Sequence, residues 1–301
     1  MDITYSEEQQ MLQDSVRKFL QKNYDFDKRR TIIDSEAGFL PENWNQFAEL
    51  GWLAVPFKEE DGGFGGNAVD LLVMMEEFGK GLVVEPFVAT TILCGGLIAE
   101  LGTAEQKQGL LPDIIAGNLQ LACAFTEMHS RFNLAAVKTR ASLAGEEYTL
   151  SGQKSVVLNG GQADKLLVVA RTSGGDYESS GVSLFCVDAK AKGIRIRKYQ
   201  NVDGHQAAEI DFDAVVVSRK DLFGEEGKAL PALERAIDRA TFAVSAEAVG
   251  IISTLLAKTV EYAKTRKQFG TYIGSFQALQ HRMADMFIES ELCKSIVMMA
   301  A

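Results

Sequence analysis

The sequence predicts an α+β protein of three segregated parts: an N-terminal helical domain over residues 1–118, a middle antiparallel β-domain over 119–224 and a C-terminal helical bundle over 225–301. Three observations predict it. Helical apolar spacing runs to about residue 118, short alternating or β-branched runs fill 119 to about 218, and helical spacing returns near 225. Helices and strands that keep to their own stretches of chain form separate layers, not a doubly wound sheet.

In the first part, Ser6 with Gln9 has the pattern of a capping box. Met11, Leu12, Val16, Phe19 and Leu20 then share one helical face. Pro41 opens a second helix, with Trp44, Phe47, Ala48 and Leu50 on its buried side and Gly51 as its C-terminal cap. A third helix is expected near 68–80 and a fourth over about 86–101, stopping at Gly102. Thr103 and Gln106 cap a short fifth.

The second part reads "LQLACAFT", "AVKTRASLAG", "EEYTLSGQKSVVLNGG", "DKLLVVARTS", "GVSLFCVDA", "GIRIRKY" and "AAEIDFDAVVVS". Each run is bounded by Gly, Asn, Asp or Ser, the spacing of an antiparallel sandwich or barrel. In the third part, the stretch from Ala229 to Gln268 is interrupted only by Pro231 and Gly250. A helix beyond ~25 residues belongs to a bundle or an interface. "ADMFIESELCKSIVMMAA" stays periodic to its last residue, so the bundle is expected to continue past Ala301, truncated here.

Composition narrows the function. A net charge of −10 argues against nucleic acid and anionic membrane surfaces. Cys94, Cys123, Cys186 and Cys293 form no CxxC pair, and His129, His205 and His281 form no HxxxH pair. Neither a metal site nor a disulfide framework is expected, and reduced thiols point to the cytoplasm. The N-terminus "MDITYSEEQQ" is no signal peptide. No apolar run approaches the ~20 residues that cross a bilayer, so no membrane insertion is expected.

Individual motifs are ambiguous alone. "GFGGNA" at 63–68 matches GxGxxA, but no strand precedes it, so a flexible turn is expected. Glu76 and Glu77 point about 100° apart on a helix and are expected on a solvated face. Met298 and Met299 are expected in the core. If 121–126 is a strand, Cys123 and Phe125 share a face and Thr126 ends it, where its hydroxyl can meet a ligand; a plain strand end is the stronger reading. "SVVLNGG" at 155–161 reads as a hairpin signal. "TRKQFG" at 265–270 puts Arg266 at a helix end, where it either caps the helix or grips a pyrophosphate, and Phe269 beside Gly270 leaves room for a planar group.

The combination resembles the acyl-CoA dehydrogenase family. "TE" at 126–127, "YTLSGQKSVVLNGG" at 148–161, "EAVG" at 247–250 and "YAKTRKQFG…FQALQHRMADM" at 262–286 carry the resemblance over essentially the whole chain. "SRFNL" at 130–134, "VVLNGG" at 156–161 and "DGHQAAEI" at 203–210 resemble the small-subunit branch of the heteromeric pimeloyl-CoA dehydrogenases. The resemblance implies a FAD-dependent α,β-dehydrogenation of an acyl-CoA thioester. A carboxylate takes the α-proton, and the β-hydrogen leaves as hydride to the flavin. Related subunits assemble as homo- or hetero-oligomers, and an electron-transfer flavoprotein takes the electrons. It implies that Arg266 binds the FAD pyrophosphate across the dimer interface, that Gln268 and Phe269 meet the adenine half with Gln277 on the next helix, and that Cys123, Phe125 and Thr126 lie along the flavin ring.

Departures from the family accompany these matches. The family's substrate-holding serine is Phe132, and its threonine at the flavin edge is Leu158, which has no donor. Some members carry the base where this chain has Ala240, beside Thr241; most carry a glutamate that falls past residue 301. The resemblance therefore leaves the catalytic base unidentified and opens an alternative: a non-catalytic scaffold that supports FAD in a partner subunit. In a degenerate site, Phe132 and Leu158 are expected to pack as ordinary apolar residues.

Overall fold

A computed structural model describes residues 5–301. The chain divides into two compact units, one built from residues up to 30, 67–83 and 241–301, the other from 31–66 and 84–240. The helices are α1 (Glu7–Asn23), α2 (Phe26–Ile33), α3 (Pro41–Glu49), α4 (Ala68–Gly81), α5 (Gly96–Leu101), α6 (Ala104–Ile115), α7 (Leu230–Thr265) and α8 (Gln277–Ala300). The strands are β1 (Leu121–Ala124), β2 (Arg140–Ala144), β3 (Glu147–Leu158), β4 (Lys165–Arg171), β5 (Val182–Asp188), β6 (Ile194–Gln200), β7 (Gln206–Ser218), β8 (Leu222–Phe223), β9 (Lys267–Gln268) and β10 (Thr271–Tyr272). Helices, then strands, then helices is the α+β order read from the sequence.

In the first unit, α1 starts at the capping box: Ser6 Oγ accepts from the Gln9 N–H at 3.2 Å, and Gln9 Oε1 accepts from the Ser6 N–H at 3.0 Å. Val16, Phe19 and Leu20 are buried, and α1 packs on α4. Met11 is 65 % exposed, so the buried stripe is shorter than the apolar spacing. Glu76 and Glu77 correct the expectation of a solvated face, since both are buried. Lys80 reaches Glu76 at 2.9 Å and Glu77 at 2.8 Å, and Arg17 reaches Glu77 at 3.0 Å. Flanking cations neutralise carboxylates that α1 and α7 cover.

Glycines set the spacing of α4 and α7. A Cβ on Gly79 would sit 1.9 Å from the Glu247 carbonyl oxygen, and one on Gly250 would sit 1.9 Å from that of Glu76. The two backbones touch at this crossing. An 18-residue window of α7 reaches a mean hydropathy of 1.7, so this helix is long and apolar enough by length and composition to cross a membrane. That corrects the reading that no run approaches such a length. Met299 is exposed and Met298 only half-buried, against the expected core placement.

In the second unit, α3 buries Asn43, Trp44 and Phe47. Leu50, expected inside, is 47 % exposed at the helix end, and Gly51 follows at φ 78°. The "GFGGNA" turn is held, not flexible: the Gly63, Gly65 and Gly66 N–H groups donate to the carbonyls of Lys58, Phe57 and Val55. A Cβ on Gly63 would meet the Phe57 oxygen at 2.1 Å. Residues 86–101 are helical as expected, but Phe87–Gly95 form a π-helix. Thr103 and Gln106 cap α6. The helix α2 carried no strong signal in the sequence.

The strands β1 to β8 form one sheet in the order β6-β7-β3-β2-β4-β5-β8, with β1 added on β4. Pairing is antiparallel except β1 with β4 and the β2–β4 bridge. Leu121, Cys123, Leu167 and Val169 face one apolar core, and Ala122, Ala124, Leu166 and Val168 face the other. Strands covered on both faces read as continuous apolar runs, which is why "LLVVA" lacks alternation. The strand after "SVVLNGG" corrects the hairpin reading: β4 pairs with β1, β2 and β5, not with β3.

Candidate functional site

In the second unit, the site is built where β1 ends beside β3. The strand stops at Ala124, two residues short of the expected span, and Phe125 and Thr126 are half-buried beyond it. The Ser155 N–H donates to the Thr126 carbonyl at 2.9 Å, which ties this exit to β3. The Thr126 hydroxyl has no hydrogen-bond partner among the described residues. The Cys123 side chain points into the core, and burial pushes its thiol up to about 12.

A bulge shapes the neighbouring strand. Lys154 pairs with Ile210 and Val157 with Ala208, so Ser155 and Val156 oppose one residue, and Val156 takes φ 51°. A β-branched residue at positive φ is a genuine outlier, and bulges re-aim side chains. Val157 stays buried, while Val156 is 48 % and Leu158 40 % exposed. Asn159 follows at φ 59° and donates its N–H to the Gln206 carbonyl at 2.9 Å. Thr126 and Leu158 thus lie on neighbouring strand ends, with an unpaired hydroxyl on one and an outward apolar side chain on the other.

Beneath them lies a pair that sequence reading missed. Lys154 Nζ donates to Glu127 Oε1 at 2.7 Å, and both side chains are buried. Glu127 also accepts from the Lys138 and Thr139 N–H groups at 2.9 and 3.1 Å. Burial pushes the Glu127 carboxyl up, but the Lys154 charge and these hydrogen bonds outweigh it and leave it below the usual range. Burial lowers Lys154 against the pull of Glu127. The only signal in the sequence was Glu127 adjoining Thr126; nothing marked Lys154, 27 residues away. The loop that Glu127 anchors carries Phe132, which is 100 % exposed. The packing expected for a degenerate site is therefore absent: Phe132 fills nothing and Leu158 is open.

In the first unit, α7 ends at Thr265 and β9 and β10 form a hairpin, Gln268 opposite Thr271 and Lys267 opposite Tyr272. Phe269 at φ 54° and Gly270 at φ 79° make its two-residue turn. Positive φ at both positions matches the right-handed twist of the strands. Phe269 is 93 % exposed and meets Phe276 edge-on at 6.2 Å. Lys267 Nζ lies 4.6 Å above the Tyr272 ring. Arg266 is exposed, and its guanidinium has no partner among the described residues, so it caps no carbonyl of α7. Gln277 opens α8, whose N-terminus has no side-chain cap. The hairpin thus brings Arg266, Gln268, Phe269 and Gln277 into one segment. An exposed cation without a protein partner suits an anion, and the exposed ring suits a planar group.

Among the described residues, no group of three His, Cys, Asp or Glu side chains is arranged to hold a metal, and the four cysteines are free. Ala240 sits half-buried against the apolar core, with no proton acceptor.

The family profile described as "Acyl-CoA dehydrogenase, N-terminal domain" matches residues 6–118, the middle-domain profile matches 122–215 and the C-terminal-domain profile matches 230–301. The chain is 32 % identical to the short-chain specific acyl-CoA dehydrogenase of Clostridium acetobutylicum, covering 100 % of this chain and 80 % of that protein. It is 28 % identical to subunit CarC of the caffeyl-CoA reductase-Etf complex of Acetobacterium woodii, covering 99 % of this chain and 79 % of that one. The solved butyryl-CoA dehydrogenase of Megasphaera elsdenii superposes with a TM-score of 0.90 at 28 % identity, covering 100 % of this chain and 80 % of that one.

Proposed function

Because the chain belongs to the acyl-CoA dehydrogenase family, whose members are flavin-dependent oxidoreductases, we propose that it is the small subunit of a heteromeric, FAD-dependent acyl-CoA dehydrogenase of the pimeloyl-CoA type. The observation that carries the flavin part of this reading is the exposed Arg266 guanidinium, which no side chain or carbonyl among the described residues occupies, in one segment with the exposed Phe269 ring. FAD, when bound, accepts the β-hydrogen of the thioester as hydride. Across a subunit interface, Arg266 would grip the pyrophosphate oxygens of FAD with paired N–H groups. Gln268, Phe269 and Gln277 hold the adenine half. Thr126 supplies one hydrogen bond at the flavin ring, with Phe125, the Cys123 backbone and Leu158 beside it. The residues of each unit fit a part of the cofactor: Arg266 and Phe269 suit the pyrophosphate and adenine of a FAD shared between subunits, and Thr126 and Leu158 suit a flavin ring.

The working domains are 1–118, 119–224 and 225–301. The substrate is an acyl-CoA thioester, an electron-transfer flavoprotein receives the electrons, and four free thiols suit the cytoplasm. A second reading, the scaffold subunit, is favoured by one observation: neither Leu158 nor Ala240 can exchange a proton or donate a hydrogen bond. Flavin titration by fluorescence quenching, with sizing, tests both readings. Tight FAD binding only in the presence of a related large subunit is expected; a stable homotetramer with one FAD per chain would sink the heteromer. Anaerobic bleaching of the flavin by acyl-CoA then separates a working subunit from a scaffold.

A further inference from the structure

Arg171, at the end of β4, is a buried cation with no carboxylate in hydrogen-bond range. Its guanidinium donates instead to backbone carbonyls. Nε reaches Val137 at 3.1 Å, Nη1 reaches Ser180 at 2.8 Å and Ser173 at 3.4 Å, and Nη2 reaches Ala135 at 2.7 Å, Glu178 at 3.0 Å and Asp176 at 3.3 Å. These acceptors belong to two loops, 135–137 and 173–180. The loops also meet directly: the Val137 N–H donates to the Asp176 carbonyl at 2.9 Å, and His129 stacks edge-on against Tyr177 at 6.2 Å. Arg140 adds bonds to the Gly174 carbonyl and the Asp176 carboxylate.

The loop 127–137 is therefore held by two buried ions of opposite sign. Glu127 takes N–H groups at Lys138 and Thr139, and Arg171 takes carbonyls at Ala135 and Val137. Between the anchors, Arg131 adopts φ 48° and Phe132 stands fully exposed. Thr126, just before the loop, is fixed separately through Ser155. A guanidinium presents five N–H donors in a rigid fork, so a lysine cannot replace it across these acceptors.

We propose that Arg171 is a positioning residue that sets the 131–137 segment over the Thr126–Leu158 site, and so governs binding of the acyl thioester without touching it. The consequence for the thioester rests on the function proposed above. The loop clamp itself does not.

The test compares wild type, Arg171→Lys and Arg171→Met, each alone for exchange and with the related large subunit for ligand binding. Hydrogen exchange of the free protein reads the clamp. FAD titration and binding of S-butyl-CoA, a thioether that cannot be dehydrogenated, read the site. In Arg171→Lys, exchange at 131–137 and 173–180 should rise about tenfold while β4 and β5 keep theirs, because two or more carbonyl bonds are lost. The thioether Kd should rise about five- to tenfold with the FAD Kd unchanged, and Arg171→Met should exceed Arg171→Lys in both respects. Unchanged exchange in the two loops, faster exchange across the whole sheet, or equal loss of FAD and thioether would overturn the proposal. If the variants fail to fold, wild-type exchange decides: the Val137 amide must be protected far beyond Phe132, and equal exchange rules the clamp out. A wild type that binds neither ligand even with a related large subunit present refutes the proposed function, and the exchange pattern still decides the clamp.

Discussion

Lys154 Nζ and Glu127 Oε1 lie 2.7 Å apart between two strand ends, and neither side chain is more than 5 % exposed. Removing one partner strands a buried charge. Lys154→Met or Glu127→Leu should each cost about 3–5 kcal/mol, and the double variant less than the sum. Chemical denaturation of the three variants checks this. Additive losses would mean that the ions do not depend on each other.

The same carboxyl sets an acid limit. Its pKa is lowered in the fold, so its stabilisation is present above the usual carboxylate value of 4.5 and is lost as pH falls through the folded value. Stability should therefore drop more steeply below about pH 4.5 in wild type than in Glu127→Gln. Parallel melts across that range measure the difference; identical slopes would remove Glu127 from the account.

Gly79 and Gly250 touch backbone carbonyls across α4 and α7, which cannot yield as a side chain can. Gly250→Val should cost about 3 kcal/mol or more, the upper end of overpacking. Thermal unfolding of this variant measures it. A loss below about 1 kcal/mol would mean that the helices slide apart freely.

Arg266→Ala should weaken FAD binding about ten- to a hundredfold, the loss of a charge-assisted hydrogen bond of roughly 1.5–3 kcal/mol. Lys267 is occupied over the Tyr272 ring, so Lys267→Ala should loosen the hairpin and affect FAD less. Fluorescence titration of both variants decides; equal losses would leave Arg266 without a dedicated role.

Leu158 is open to solvent, so Leu158→Thr should change stability by only about 0.5 kcal/mol. In a live site it should also shift the flavin spectrum, since it adds a donor beside Thr126. A loss above about 2 kcal/mol would restore the picture of a buried, degenerate strand end.

Some of this was legible from local pattern. The caps at Ser6–Gln9 and Thr103–Gln106, the start at Pro41 and the change of period near 119 all rest on contacts a few residues apart, which spacing encodes directly. Arg266 and Phe269 could be singled out as a polar and aromatic excess at a helix end. Whether Arg266 capped that helix was not legible, because the side chain turns on torsions that no periodicity reports.

By itself, then, the sequence determined the order of helices and strands and the stretches where a ligand could be met, since both follow from short-range hydrogen bonding and apolar spacing. Only the tertiary structure decided which charges are buried. Glu77 meets Arg17 across 60 residues, Glu127 meets Lys154 across 27, and Arg171 gathers the carbonyls of two loops. The physical reason is that a buried ion is tolerable only with its partner in place, and that partner is supplied by the fold and not by the neighbouring residues.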